Sequence, residues 1–447
     1  MSLLPKKPYS NRILQISFPA IAGLSSQMIV SIIDTAMVGR LTNSEIALAA
    51  MGLGVLATWT LTSFFSSLAT GTHILVARSY GEGRYTAVGT ILNNSLILSL
   101  ILGLFFGMIG WFFSFEFIRI FSSDDNVAFA AGQYMKYRAL GLPFFLLGVS
   151  YRGFFYGIGH TKVFMFSAIV SYFFNIVFNY LLIFGMFGFP QMGLAGAGLS
   201  ASIGMFLGLL FFLFVTFLPN YRRRYKYYDF VSIGLKHIKK IIKISLPVSF
   251  QNILILLGFL IFVAIAGIFG TVEQAATQVV ITSMFLSFMP CFGFGIATQT
   301  LVGNSLGENR PKEAHTYGIE TAKIATIFTA IVGAIFWFLP DVILSVLTTN
   351  DSVRNVARPI LQLAGAAQVA YGSGIIFANA LQAAGATVYV MLIEILTHWI
   401  IFLPLAYVLG IHYGIFGAWL ALPIYIFAYS FLTWLKYRSG SWTKIKV

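Results

Sequence analysis

Leu75-Val-Ala-Arg78-Ser-Tyr-Gly81-Glu82-Gly-Arg84 and Leu301-Val-Gly-Asn304-Ser-Leu-Gly307-Glu308-Asn-Arg310 carry Leu-Val, Ser, Gly-Glu and Arg at matching places. Other pairs follow in the same order. Ile16-Ser-Phe-Pro19 matches Ile244-Ser-Leu-Pro247, and the same offset of 228 pairs Gly39 with Gly267 and Glu45 with Glu273. Further on, Gly159-His-Thr161 matches Gly385-Ala-Thr387, and Gly193-Leu-Ala-Gly-Ala197 matches Gly414-Ile-Phe-Gly-Ala418. Chance in apolar sequence reproduces Gly and Leu, but not Gly-Glu-x-Arg in two equivalent loops. The chain is therefore one unit written twice.

The composition says what that unit is made of. Apolar residues are 58% of the 447 and charged ones only 9%, against about 25% charged in soluble domains. Windows of about 20 residues give twelve candidate spans. They lie near 13–38, 47–73, 87–114, 127–156, 162–187, 193–218, 242–268, 276–302, 314–339, 353–383, 386–410 and 413–436. Runs such as Leu96–Trp111 lack the alternation of a barrel strand. The expected fold is all-α and integral to the membrane. Six spans per repeat preserve orientation, so the two repeats are parallel, with a central cavity between the lobes. The expected organisation is an N-terminal lobe at 1–218, a basic cytoplasmic linker at 219–241, and a C-terminal lobe with a short tail at 242–447.

The net charge of +14 is unevenly placed. Eight cations crowd the central loop: Arg222, Arg223, Arg224, Lys226, Lys236, Lys239, Lys240 and Lys243. With cytoplasmic termini, 21 Lys and Arg fall inside and at most 6 outside. This is the positive-inside pattern. The basic run is expected to meet anionic headgroups rather than nucleic acid. One cysteine, Cys291, excludes an internal disulfide. The start reads as a basic tail running into span 1, without a removable signal peptide.

Asp34 is the only acid in the first 44 residues and lies inside span 1. A charge there costs roughly 3 kcal/mol or more, which marks a functional position. Gln27, Ser31 and Asp34 share one helix face. The repeat places Phe262 where a twin of Asp34 would stand. One reading is a structural anchor paired with Arg40. The other is a titrating coupling site, because a low-dielectric surrounding disfavours the carboxylate and lets a proton come and go near neutral pH. In span 5, Asn175 and Asn179 are one turn apart and must find partners. They serve as packing glue or stand beside Asp34, where amide oxygens suit Na⁺ as well as H⁺ exchange. In span 11, Glu394 and His398 form either a structural pair or a second proton site. Tyr134, Lys136, Tyr137 and Arg138 line an outer mouth or snorkel to the interface. The Glu82/Arg84 and Glu308/Arg310 pairs read as loop pairing.

No enzyme signature is present: neither Gly-Lys-Ser/Thr nor His-Glu-x-x-His occurs, and the six histidines are scattered. Transport without an ATP site takes its energy from an ion gradient, and no cofactor is expected.

Asp34-Thr-Ala-Met-Val-Gly39-Arg-Leu resembles the first-helix motif of the multidrug and toxic compound extrusion (MATE) family. Tyr134-Met-Lys-Tyr-Arg138-Ala-Leu-Gly-Leu-Pro143-Phe, Asn175-x-x-x-Asn179 with Gly185, and Gly193-Leu-Ala-Gly-Ala-Gly resemble its spans 4, 5 and 6. The Asp-Thr-Ala form is most similar to the DinF-like branch. The resemblance covers nearly the whole chain. It implies an inner-membrane, cation-coupled antiporter that expels organic, often cationic or amphipathic, compounds by alternating access. It maps the coupling acid onto Asp34 and its companions onto Asn175, Asn179 and Ser200. Asn179 departs from relatives that carry an acid there. Acids that another branch uses in spans 7 and 10 fall near Ile255 and Tyr371, which argues for coupling in the first lobe. The alternative from the wider superfamily is a flippase of lipids or lipid-linked oligosaccharides, kept open by Lys136 and Arg138. A non-transporting scaffold or an intramembrane enzyme is a remoter alternative. The expected partners are small organic substrates and membrane lipids, the coupling ion is H⁺ before Na⁺, no metal beyond Na⁺ at Asp34 is expected, and one chain supplies a complete pathway.

Overall fold

A computed structural model describes residues 4–122, 124–228 and 232–445. Among them the chain is helical: α1 (Lys7–Val38), α2 (Ser44–Gly81), α3 (Tyr85–Arg119), α4 (Asp125–Ala139), α5 (Leu142–Gly157), α6 (Thr161–Phe184), α7 (Leu194–Phe217), α8 (Pro219–Tyr225), α9 (Leu235–Phe269), α10 (Thr271–Gly307), α11 (Pro311–Phe338), α12 (Pro340–Leu347), α13 (Asp351–Ala383), α14 (Thr387–Glu394) and α15 (Leu403–Arg438). A π-helical segment, Ile395–Phe402, joins α14 to α15.

Ten helices are long and apolar enough to cross a membrane, or eleven with the bent pair α4 and α5. The last of them runs 52 residues from Thr387 to Arg438. At Gly414 its backbone leaves helical geometry, with φ 64° and ψ −157°. Fifty-two residues at 1.5 Å each are more than twice a hydrocarbon core. Divided at Gly414, this stretch supplies the final two of the twelve predicted spans.

The sequence repeat recurs in the backbone. Glu82 N, Gly83 N and Arg84 N donate to Arg78 O, Tyr80 O and Ser79 O; Glu308 N, Asn309 N and Arg310 N donate to Asn304 O, Leu306 O and Ser305 O. Gly83 (φ 71°) and Asn309 (φ 59°) occupy the same left-handed place. Gly193 (φ 55°) and Gly414 (φ 64°) open the sixth helix of their respective halves. These conformations favour residues without a Cβ, or Asn, which is why those positions survive in both copies.

Two features depart from the sequence reading. Span 4 is not straight: α4 and α5 meet at a 50° bend. Gly141 and Pro143 lie there, and proline removes a backbone donor. The linker is also more structured than expected. Pro219–Tyr225 is helical, and α9 already begins at Leu235, so Lys236, Lys239, Lys240 and Lys243 ride on a helix. It is fastened at two described residues: Tyr228 N donates to Asn93 Oδ1 (2.8 Å) and Gly234 N to Asn94 Oδ1 (2.9 Å). Arg224 stacks on Tyr85 at 4.3 Å. Residues 229–231 lie outside the described residues.

The chain forms two compact units, Ala22–Ser249 and Met1–Ile21 with Phe250–Val447. The boundaries at 218 and 242 follow the repeat; the units divide elsewhere. In the second unit, Ile13 and Ile16 join a core with Cys291, Phe294 and Leu301, and Lys6 N donates to Glu320 Oε2 at 2.8 Å. In the first, Ser249 Oγ donates to Phe64 O at 2.9 Å. The opening stretches of α1 and α9, which carry the paired Pro19 and Pro247, thus belong to a different unit from the helices they begin.

Candidate functional site

Within the first unit, α6 and α7 approach closely because of one stripe on α7: Gly196, Ser200, Gly204 and Gly208, each a turn apart. A Cβ at Gly196 would meet Leu182 O at 2.7 Å, and one at Gly204 would meet Ser171 O at 2.6 Å. Ser200 is the polar member of this stripe and is fully buried. It faces Asn175 and Asn179 on α6, both buried.

The side chains form a directed chain. Asn179 Nδ2 donates to Asp34 Oδ1 at 2.5 Å. Ser200 Oγ donates to Asn179 Oδ1 and to Ala197 O (3.0 Å), while Asn175 Nδ2 lies 3.5 Å from Ser200 Oγ. Asp34, Asn175, Asn179 and Ser200, the set that the resemblance implied, are thereby brought together.

Arg138 on α4 is the cation whose charge acts on Asp34. Its guanidinium lies 5.8 Å from the Tyr134 ring, and its Nε is buried without a hydrogen-bond partner among the described residues. Arg138 also lines a small pocket with Thr58, Leu61, Phe106, Phe145 and Met205. Tyr134 is buried. Tyr137 packs edge-on against Trp111 at 6.0 Å, where Lys136 also sits, 4.5 Å from the ring. Arg40 is exposed in the turn after α1. Gln27 and Ser31 share the helix of Asp34 but are exposed and stand outside the cluster.

The second unit does not repeat this arrangement. Phe262 packs against Phe402 (4.9 Å) and Trp419 (5.1 Å), an aromatic filling. Glu394 and His398 are buried elsewhere, with His398 Nδ1 at 3.4 Å from Glu394 Oε1. Tyr425 OH donates to the same oxygen at 2.8 Å. Their surroundings also hold Gln251, Gln299, Asn379 and Gln382, which the sequence reading passed over. The signal was available, since amides in apolar spans are costly. Gln251 and Gln299 stand on different helices without an i, i+4 partner, whereas Asn379 and Gln382, three apart on α13, share a face that could have marked them. Among the described residues, no group of His, Cys, Asp and Glu is placed to hold a metal ion.

Twelve spans in two repeats, with a polar cluster buried in one of them, define a polytopic membrane transporter rather than an enzyme. The chain belongs to the MatE family, whose profile matches residues 19–181 and 247–408, once in each half. It is similar to a probable multidrug resistance protein NorM of Thermotoga maritima, 26% identical over 97% of this chain and 93% of that one. It is also similar to the probable multidrug resistance protein YoeA of Bacillus subtilis, 25% identical over 87% of this chain and 84% of that one. Among solved structures it shares its fold with a MATE in complex with MaD3S (TM-score 0.88, 21% identity, 96% of each chain). It shares it too with a MOP superfamily transporter from Pyrococcus furiosus (TM-score 0.87, 21% identity, 96% of this chain and 95% of that one).

Proposed function

We propose that this chain is a cation-coupled antiporter that exports organic, often cationic or amphipathic, compounds across the cell membrane by alternating access. Both termini are cytoplasmic in this reading, H⁺ is the coupling ion ahead of Na⁺, and the likeness of the Asp-Thr-Ala motif supports the DinF-like branch. The observation that carries it is the bond from Asn179 to Asp34, which ties a membrane-embedded carboxyl to the buried amide and hydroxyl groups of α6 and α7. A carboxyl so placed takes up and releases a cation as the transporter changes state. The multidrug names of the relatives support the substrate class.

Ion binding at Asp34 shifts the transporter only by its differential affinity for two states. The cations that keep a flippase reading open are engaged by aromatic rings, Lys136 by Trp111 and Arg138 by Tyr134. The test is efflux of an organic cation from vesicles, driven separately by a pH gradient and a Na⁺ gradient. Asp34→Asn is expected to abolish the gradient-driven component while the protein stays folded and monodisperse. Undiminished efflux from that variant overturns the assignment, and the gradient that drives the wild type names the ion.

A further inference from the structure

The second unit holds a line of buried amides that ends on Glu394. Gln299 Nε2 donates to Gln382 Oε1 (3.0 Å), Gln382 Nε2 to Gln251 Oε1 (3.1 Å), and Gln251 Nε2 to Glu394 Oε2 (3.5 Å). At the far end Gln299 Nε2 also donates to Asn379 Oδ1 (2.9 Å), whose Nδ2 donates to Ile375 O (2.7 Å). The line runs through α10, α13, α9 and α14, and its three glutamines and Glu394 are all buried.

Its geometry has a sense of direction. Between Gln299 and Glu394 every amide presents its NH₂ toward the carboxylate and its oxygen away from it. The carboxylate is the terminal acceptor, and such chains strengthen cooperatively. Both ends are fitted by glycine: a Cβ at Gly258 would overlap the His398 ring, and one at Gly295 would meet the Asn379 amide at 2.7 Å. His398 lies in the π-helical segment, a local geometry frequent at functional sites. Its Nε2 has no hydrogen-bond partner among the described residues.

We propose that Glu394 is a second proton-binding group, and that its protonation reverses the amide line. When Oε2 takes a proton it becomes a donor to Gln251. Gln251 must then present its oxygen, turning its NH₂ toward Gln382. Gln382 turns in the same way, and so does Gln299. Asn379 then offers its Nδ2 to Gln299 and releases Ile375 O. Every member keeps a partner in both states, so the line has two settings and the proton selects between them. Four helices thereby register one protonation event. The titratable groups facing Glu394 are His398 on its own helix, Tyr371 on α13, and Tyr425 and Tyr429 on α15. The Lys and Arg ion pairs of this unit lie on other acids: Glu308, Glu313, Glu320, Asp341 and Asp351.

This is not the first unit's site repeated. The counterpart of Asp34 is Phe262, and Gln251 precedes it on α9 by 11 residues, about 16 Å along a helix. The inference deepens the antiporter reading, but its test reads protonation rather than transport, so it can fail while that reading stands.

The experiment is infrared difference spectroscopy between acid and alkaline buffer, on full-length Asp34→Asn protein in liposomes, with glutamine labelled at the side-chain nitrogen. The expected result is a narrow carboxyl band at low pH from an unhydrated acid, set apart from the broad absorption of the solvent-exposed Asp and Glu side chains, together with a shift of labelled amide bands. Glu394→Gln removes both. Gln382→Met keeps the carboxyl band and loses at least half of the amide shift. Tyr425→Phe keeps both signals but moves the carboxyl frequency, because Tyr425 donates to Glu394; this variant decides the matter if Glu394→Gln does not fold. A carboxyl band unmoved by Tyr425→Phe or surviving Glu394→Gln, or an amide shift unaffected by Gln382→Met, overturns the proposal.

Discussion

Asn179 is the side chain that joins Asp34 to the rest of the candidate site. It donates to Asp34 and accepts from Ser200, so its loss removes one bond from each of two polar groups. Ser200 retains Ala197 O as an alternative acceptor. Asn179→Ala is therefore expected to cost about 1–3 kcal/mol, the range for orphaning buried groups, and Ser200→Ala about 1 kcal/mol. Thermal unfolding in detergent should rank them in that order; equal midpoints would mean that Asn179 is not the hub. Asp34, Asn175 and Asn179 were legible from sequence because charge and amide groups in apolar spans demand an explanation. Ser200 was not legible by that route. A serine satisfies itself on a carbonyl of its own helix, so it carries no alarm. Arg138 was visible as a residue near a predicted outer mouth, but its proximity to Asp34 depends on how α4 packs, which no spacing rule supplies.

Among the elements, the pairing of α6 with α7 does most to position the site. Gly204→Ala places a methyl against Ser171 O and Asn175 Cβ, at 2.6 and 3.1 Å. Overpacking of this kind costs typically about 1–3 kcal/mol, and here it also moves Ser200 off the two asparagines. The expected outcome is a folded protein with efflux reduced at least as much as in Ser200→Ala; efflux at wild-type level would show that the helices yield elsewhere. The spans themselves were readable from hydropathy, although their ends were not. Ala77-Arg78-Ser-Tyr80 continues α2 beyond its apolar window because a helix persists where its polar end can be solvated. The bend between α4 and α5 had a visible cause in Gly141 and Pro143, but proline in a membrane helix does not always bend it, and the 50° angle was not foreseeable.

At the scale of the whole chain, the repeat was the strongest prediction and the backbone repeats with it. Gly414, at φ 64° and ψ −157°, sits where only glycine is comfortable. Gly414→Ala should cost about 1–3 kcal/mol, and Gly193→Ala a similar amount. Gly83→Asn should be nearly neutral, since Asn309 already holds that conformation in the other copy. Melting temperatures of the three variants check this; a severe loss for Gly83→Asn would break the equivalence. What the repeat concealed was the point at which the compact units divide, because packing partners, unlike repeat boundaries, are not written in the offset.

That division has a consequence for synthesis. A chain emerging from the ribosome folds from its N-terminal end first. Ala22–Ser249 is contiguous and can close as soon as it is made. The residues before it must wait: Lys6 bonds Glu320 across 314 positions of sequence, and Ile13 joins a core built largely from Cys291 onward. The oldest part of the nascent chain is thus the last to be sheltered. A cysteine placed by Ile13→Cys in a Cys291→Ser background should react with thiol reagents in chains halted after Ser249 and be protected in finished ones. Protection at position 13 thus reports that the residues from Cys291 onward have been made and packed.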